Sequence, residues 1–206
     1  MVEQPERKSL VGKYLRESWL VIACAIVFGC ALAGVAGATR DRIERNKQEA
    51  TQAAIREVVP GAARGVELSD AEPADLADGI YRALDADGTQ VGWAVTARGA
   101  GFADMITVLV GLKPDGISVT GIAILESNET PGLGDKIKSG PRYRDQFAGT
   151  TVARPIEGVP RTEPADGNKI HTITAATISS QSVVAIINQR CVELGPRLGR
   201  LAKDLE

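Results

Sequence analysis

The stretch IYRALDADGTQVGWAVTARGAGFADMITVLVGLKPDGISVTGIAIL, residues 80–125, carries the information that decides the fold. It divides into four apolar, β-branched runs of strand length: Ile80–Asp85, Gln90–Ala97, Met105–Leu112 and Ile117–Leu125. Between the first two lies Ala86-Asp87-Gly88-Thr89, and between the last two Lys113-Pro114-Asp115-Gly116. In such tetrapeptides Pro pre-sets its φ, Asp can bond its own backbone, and Gly accepts positive φ, so the chain reverses. The stretch therefore predicts four antiparallel strands in two hairpins.

Toward the C-terminus the period changes. Val184, Ile187, Cys191, Leu194 and Leu198 recur at steps of 3, 4, 3 and 4, which predicts an amphipathic helix over 177–198 with Cys191 on its core face. Residues 134–148 are read as a short helix and 149–170 as irregular and polar. An antiparallel sheet with helices packed against it is an α+β fold.

Toward the N-terminus, residues 61–78 are rich in Ala, Asp and Glu, contain Pro73, and read as a surface connection. Residues 40–60 are densely charged and free of helix breakers up to Pro60-Gly61, which predicts a helix. Before it, Trp19–Thr39 holds no charged residue over 21 positions, enough at 1.5 Å per residue to cross a bilayer. Trp19 sits at an edge that suits an interfacial aromatic, and Gly29, Gly34 and Gly37 suit close helix packing. A transmembrane helix over 18–39 is expected.

Four basic residues precede the span (Arg7, Lys8, Lys13, Arg16) and four follow it (Arg40, Arg42, Arg45, Lys47), so charge does not choose an orientation. An early span with the whole domain behind it favours a cytoplasmic N-terminus, residues 1–17, and an extracytoplasmic domain, residues 61–206. Ala36-Gly37-Ala38 has the form of a signal-peptidase site, but the apolar run exceeds a usual signal core, so a retained anchor is expected.

Composition excludes several classes. Lys plus Arg is 24 against 26 Asp plus Glu, and no basic stretch stands out, so no nucleic-acid partner is expected. One histidine and 4% aromatics leave little for a haem or a multi-histidine metal site. Cys24, Cys30 and Cys191 form no C-x-x-C and read as small apolar residues.

Two segments could carry chemistry. One is His171-Thr172-Ile173-Thr174-Ala175-Ala176-Thr177-Ile178-Ser179-Ser180, a hydroxyl-rich turn entering a helix start. Helix starts present free N–H groups and a positive dipole end, which suit phosphate; a plain Thr or Ser N-cap is the ordinary alternative. The other is Glu126-Ser127-Asn128-Glu129-Thr130-Pro131-Gly132-Leu133-Gly134. Pro131-Gly132 suits the centre of a type II turn, Gly132 and Gly134 admit a flat ligand close to the backbone, and Glu126 and Glu129 could orient groups on it. A Gly-rich loop with solvated carboxylates is the alternative here.

Taken together, the N-terminal span, the helix after it, Gly92-Trp93-Ala94, Gly101-Phe102, the strand ending in Gly111, ETPGLG at 129–134 and T-x-x-T-x-S at 174–179 resemble the FMN-binding domain family of the Rnf and sodium-pumping NADH:quinone reductase complexes. The G subunit of Rnf is the nearest pattern. The resemblance implies FMN esterified through its phosphate to Thr177, with Thr174, Ala175, Ala176 and Ser179 completing the attachment motif. Glu129, Thr130, Gly132 and Leu133 then belong to the cofactor-binding loop. It also implies a flavin transferase that uses FAD, other membrane subunits as partners, and electron transfer between ferredoxin and NAD coupled to sodium or proton movement at a bacterial inner membrane. No residue is expected to act as a catalytic acid or base. Two positions depart from the motif: Ala175 replaces its Gly, and His171 replaces its usual Asp. The alternatives are the C subunit of the quinone reductase, or a structural subunit that keeps the fold without flavin.

Overall fold

The structure is a computed structural model that describes residues 17–68 and 79–204. The basic residues expected to precede the span, and the part of the expected connection holding Pro73, lie outside the described residues. Contacts divide the chain into two compact units, Met1–Gln48 and Glu49–Glu206.

Helix α1, Trp19–Val58, is one continuous element of 40 residues, so the expected span and the expected charged helix join without a break. Nothing in the sequence between Thr39 and Arg40 stops a helix: no Pro occurs and Ala is frequent. Its apolar part reaches a mean hydropathy of 2.5 over 18 residues and is exposed, as a bilayer-facing surface would be. Among the described residues it is the one helix long and apolar enough to cross a membrane.

The second unit is built on a five-stranded antiparallel sheet in the order of the chain: β1 (Arg64–Glu67), β2 (Ile80–Leu84), β3 (Gln90–Ala100), β4 (Met105–Leu112) and β5 (Val119–Ser127). The four predicted strands are present and paired in two hairpins. The second turn closes with Gly116 N–H donating to the Lys113 carbonyl at 2.9 Å. Strand β1 corrects the reading of 61–78 as connection only. It is an edge strand of four residues, three of them exposed, so it lacks the apolar alternation by which strands are recognised.

Alternation along the inner strands separates two faces. Trp93, Val95, Ile106, Val108, Val110 and Ile124 belong to the larger core, and Ala83, Ala94, Leu109 and Ala123 to the smaller one. The smaller face receives the last turns of α1 through Ala54, Ile55 and Val58. Its residues are mostly alanine, and a Cβ at Gly111 would strike the Val58 carbonyl, so the helix end approaches the sheet backbone closely. Thr120 Oγ1 donates to that same carbonyl at 2.5 Å, satisfying one of the acceptors a helix end leaves open.

The larger face is covered by α4, Thr177–Asp204, through Val183, Val184, Ile187, Cys191, Leu194 and Leu198. The predicted periodicity is thus the packed stripe, and burial pushes the Cys191 thiol up to about 12. The expected helix at 134–148 is three short pieces: α2 (Lys136–Ser139), α3 (Pro141–Arg144) and a 3₁₀ turn (Asp145–Phe147). Gly140-Pro141 interrupts it, because Pro lacks the N–H a continuing helix needs. Residues 149–170 are not wholly irregular. They hold β6 (Glu157–Val159), which pairs in parallel with β7 (Lys169–His171) and so fixes the approach to α4.

Candidate functional site

Two type II turns meet at the start of α4. The first spans Thr130–Leu133: Leu133 N–H donates to the Thr130 carbonyl at 3.1 Å, with Gly132 at φ +77. The second spans Ile173–Ala176: Ala176 N–H donates to the Ile173 carbonyl at 2.9 Å, and the third residue, Ala175, lies at φ +67. Type II geometry requires positive φ at that third position, which Gly adopts freely and Ala does not. Ala175 is the one non-glycine residue with positive φ among the described residues. A Gly at this position would meet the backbone requirement freely, and Ala here costs on the order of 1 kcal/mol or more.

The second turn is firmly held. Ser180 Oγ accepts from Ile173 N–H at 3.1 Å and donates to the Ala176 carbonyl at 2.8 Å. Tyr143 Oη donates to the Ser180 carbonyl at 2.8 Å. Gln146 brackets β7, accepting from His171 N–H at 2.7 Å and donating to the His171 carbonyl at 3.2 Å. These bonds tie the turn to the first turn of the helix that follows and to the segment holding Tyr143 and Gln146.

Helix α4 makes its first internal bond from Ser180 N–H to the Ala176 carbonyl, 2.9 Å. The N–H groups of Thr177, Ile178 and Ser179 consequently have no acceptor within the helix. Thr177 is exposed at this end. Beside it opens a cleft of about 360 Å³, lined by Phe102, Glu129, Thr130, Leu133, Gly134 and residues 175–179. Its lining is mainly apolar, and its volume lies in the roughly 300–1,000 Å³ range of small-molecule sites. Phe102, Ile178 and Leu133 are 65%, 56% and 48% exposed, large apolar side chains left bare at the rim.

Of the residues named from sequence, Glu129, Thr130, Leu133, Ala175, Ala176, Thr177 and Ser179 line this cleft. Gly132 and Thr174 do not line it; they sit inside the two turns that shape it. Phe102, which the sequence marks only through the Gly101-Phe102 pair, emerges as a wall residue, and Ile178 enters through its place in the first helical turn. Ile178 could have been found as an apolar residue off the core stripe of α4.

Glu129 has a more internal role than orienting a ligand. It is 5% exposed. Its Oε1 accepts from Phe102 N–H at 2.8 Å and Ala103 N–H at 3.0 Å, and its Oε2 accepts from Ser179 Oγ at 2.6 Å. Burial pushes the Glu129 carboxyl up, but the bonds from Ser179, Ala103, Phe102 and Asp104 outweigh it and hold the group below its usual range. One carboxylate thus ties the 101–104 loop to the helix start on either side of the cleft.

These residues fit an FMN. A hydroxyl stands at a helix start whose N–H groups suit a phosphate, next to an apolar cleft with flat and branched side chains at its rim. Similarity to known proteins agrees. The FMN-binding domain family matches residues 101–191. The chain is 32% identical over 199 residues to the G subunit of the Na(+)-translocating ferredoxin:NAD(+) oxidoreductase complex of Acetobacterium woodii, covering 91% of this chain and 95% of that one. It is 31% identical over 149 residues to the G subunit of the ion-translocating oxidoreductase complex of Methanosarcina acetivorans, covering 71% and 76%. In fold it is similar to the crystal structure of Shewanella oneidensis NqrC, with a TM-score of 0.52 at 20% identity. That match covers 61% of this chain and 60% of the other, and at 20% identity it concerns the fold alone. With its apolar N-terminal helix the protein is a single-pass membrane protein, and it belongs to the family of G subunits of Rnf-type ion-translocating oxidoreductase complexes, electron-transport subunits with an FMN-binding domain.

Proposed function

We propose that this chain holds FMN through a phosphoester on Thr177 and relays electrons within an Rnf-type complex that couples transfer between ferredoxin and NAD to sodium or proton movement. The observation that carries the reading is Thr177 itself: an exposed hydroxyl on the first residue of α4, at the mouth of an apolar cleft. FMN supplies exchange of one or two electrons when bound. The protein's own residues bind and orient. Thr177 Oγ1 provides the ester oxygen, and the N–H groups of residues 177–179 face the phosphate charge. Phe102, Leu133 and Ile178 offer apolar surface for a flat ring, while Glu129 and Ser179 keep the two walls together.

In this reading a flavin transferase moves FMN from FAD to the Thr177 hydroxyl, breaking the diphosphate bond and releasing AMP, the domain lies on the extracytoplasmic side of a bacterial inner membrane, and other membrane subunits of the complex exchange electrons with it. Residues 1–17 are then cytoplasmic, the span occupies 18–39 and the domain 61–206. That the relatives are G subunits supports this choice over the quinone-reductase C subunit. Ala175 at φ +67 is the one observation that favours a flavin-free structural subunit, since the turn is strained where the motif has Gly.

The test is coexpression of the full chain with its own organism's flavin transferase. In-gel flavin fluorescence and intact mass should show one FMN, lost in Thr177→Ala while the domain still folds. Thr174→Ala should keep at least partial labelling. Persistence of the label in Thr177→Ala would sink the assignment.

A further inference from the structure

A second cleft lies on the other side of the turn that precedes α4. Two adjoining hollows, about 170 and 360 Å³, share Arg142, Gln146, Arg161 and His171 as walls, and Lys136 enters the narrower one. These residues come from separate segments: α2, α3, the 3₁₀ turn, the loop after β6, and the end of β7. Three cations converge, and no Asp or Glu lines either hollow. In a chain of net charge -2 this is a local excess of positive charge that the fold assembles.

The donors that remain available are the charged ones. Gln146 is engaged on both sides by the backbone of His171. Thr172 Oγ1 donates to the Val159 carbonyl at 3.3 Å. His171 Nε2 lies 2.9 Å from the Glu163 carbonyl, and a carbonyl only accepts, so this nitrogen carries the proton and ties the Arg161 loop to β7. Among the described residues Lys136, Arg142 and Arg161 are engaged in no salt bridge or side-chain hydrogen bond. Guanidinium forks suit the paired oxygens of a phosphate, and three positive charges match a multiply charged oxyanion better than a single carboxylate.

We propose that this cleft binds a phosphate or diphosphate group through Arg142, Arg161 and Lys136. His171 matters to it directly. An Asp at this position would place a carboxylate among the three cations. The cleft is distinct from the Thr177 site and does not depend on the flavin.

The test uses the full chain in nanodiscs of zwitterionic lipid, titrated calorimetrically with inorganic pyrophosphate at low ionic strength, where screening is weakest. Saturable one-site binding is expected. Arg142→Ala and Arg161→Ala, both at exposed positions, should each weaken it about tenfold or more. His171→Asp should weaken it at least as much, and Thr177→Ala should leave it unchanged. Adding a short-chain anionic phospholipid below its micelle concentration as a competitor identifies the natural source: displaced pyrophosphate marks a lipid headgroup as occupant, and unaffected uptake a soluble phosphate compound. No saturable binding, or equal binding in both arginine variants, overturns the proposal. So does loss in Thr177→Ala, which would put the anion at the helix start. An equal loss in Lys138→Ala, an exposed lysine outside the cleft, would mean diffuse charge attraction and overturn it as well.

Discussion

Ser179 donates a 2.6 Å hydrogen bond to Glu129 across a separation of fifty residues, and this bond joins the loop after β5 to the first turn of α4. Because the other oxygen of Glu129 accepts from the 101–104 loop, three segments far apart in sequence depend on one buried carboxylate. Hydrogen bonds to a charged group contribute about 1.5–3 kcal/mol each, and they act here as a unit. Glu129→Ala should lower stability by about 3 kcal/mol in chemical denaturation, and it should cut flavin labelling at Thr177 because the cleft walls separate. Full stability in the variant would remove Glu129 from this role.

The same contacts set a pH dependence. The folded-state carboxyl of Glu129 is held below its ordinary value of 4.5, so the protonated form is disfavoured by the fold. Its contribution is complete above the ordinary carboxylate range and is lost as pH falls through the lower folded value. The thermal midpoint of the native protein should drop on acidification from about pH 5. In Glu129→Gln, which cannot titrate, that part of the slope should be absent.

Ala175 at φ +67 makes a directional prediction. Ala175→Gly removes the Cβ penalty and should stabilise the chain by about 1 kcal/mol, offset in part by unfolded-state entropy. Flavin labelling should be present in the native chain and at least as complete in the glycine variant, because the turn is already held by Ser180 and Tyr143. Label seen only in Ala175→Gly would replace the electron-carrier reading with that of a structural subunit. Ala175→Val should fall below the native chain on both measures, since a β-branched residue tolerates positive φ poorly.

Close approach of α1 to the sheet predicts the effect of Gly111→Ala. Its Cβ would meet the Val58 carbonyl, so the helix end must shift. Overpacking of this kind costs about 1–3 kcal/mol. Hydrogen exchange should show faster opening around residues 54–59, while the amides of β7 and α4 keep their protection.

Orientation is open to a direct measurement. A C-terminal alkaline phosphatase fusion should be active and the matching fluorescent-protein fusion dark. The reverse pattern would put the domain, and the electron route through it, on the cytoplasmic side.

Much of this protein is written locally. Strands β2 to β5 follow from apolar runs separated by turn-forming residues, because both signals act within a few positions. The core face of α4, with Cys191 on it, follows from the 3-and-4 spacing in the same way. The apolar stretch at 19–39 needs only length and the absence of charge. Glu129, Thr130, Leu133, Ala175, Ala176, Thr177 and Ser179, which line the cleft at the start of α4, stand out in the sequence because they fall in two compact motifs.

What the tertiary structure alone decided depends on contacts between distant segments. Edge strand β1 is mostly exposed, and β6 and β7 are three residues each with one buried apolar side chain apiece, Val159 and Ile170, too short for an alternation to show. The sequence shows two glutamates near ETPGLG, but only the fold makes Glu129 the tie between Phe102 and Ser179. It shows that Ala175 departs from a motif, whereas the backbone, turning so that residue 176 can bond residue 173, requires positive φ there. Arg142, Arg161 and Lys136 are scattered in an acidic chain and form one cationic cleft only after folding. Propensity and periodicity are local properties, and which side chains share a cleft is set by how the sheet and the helices close over one core.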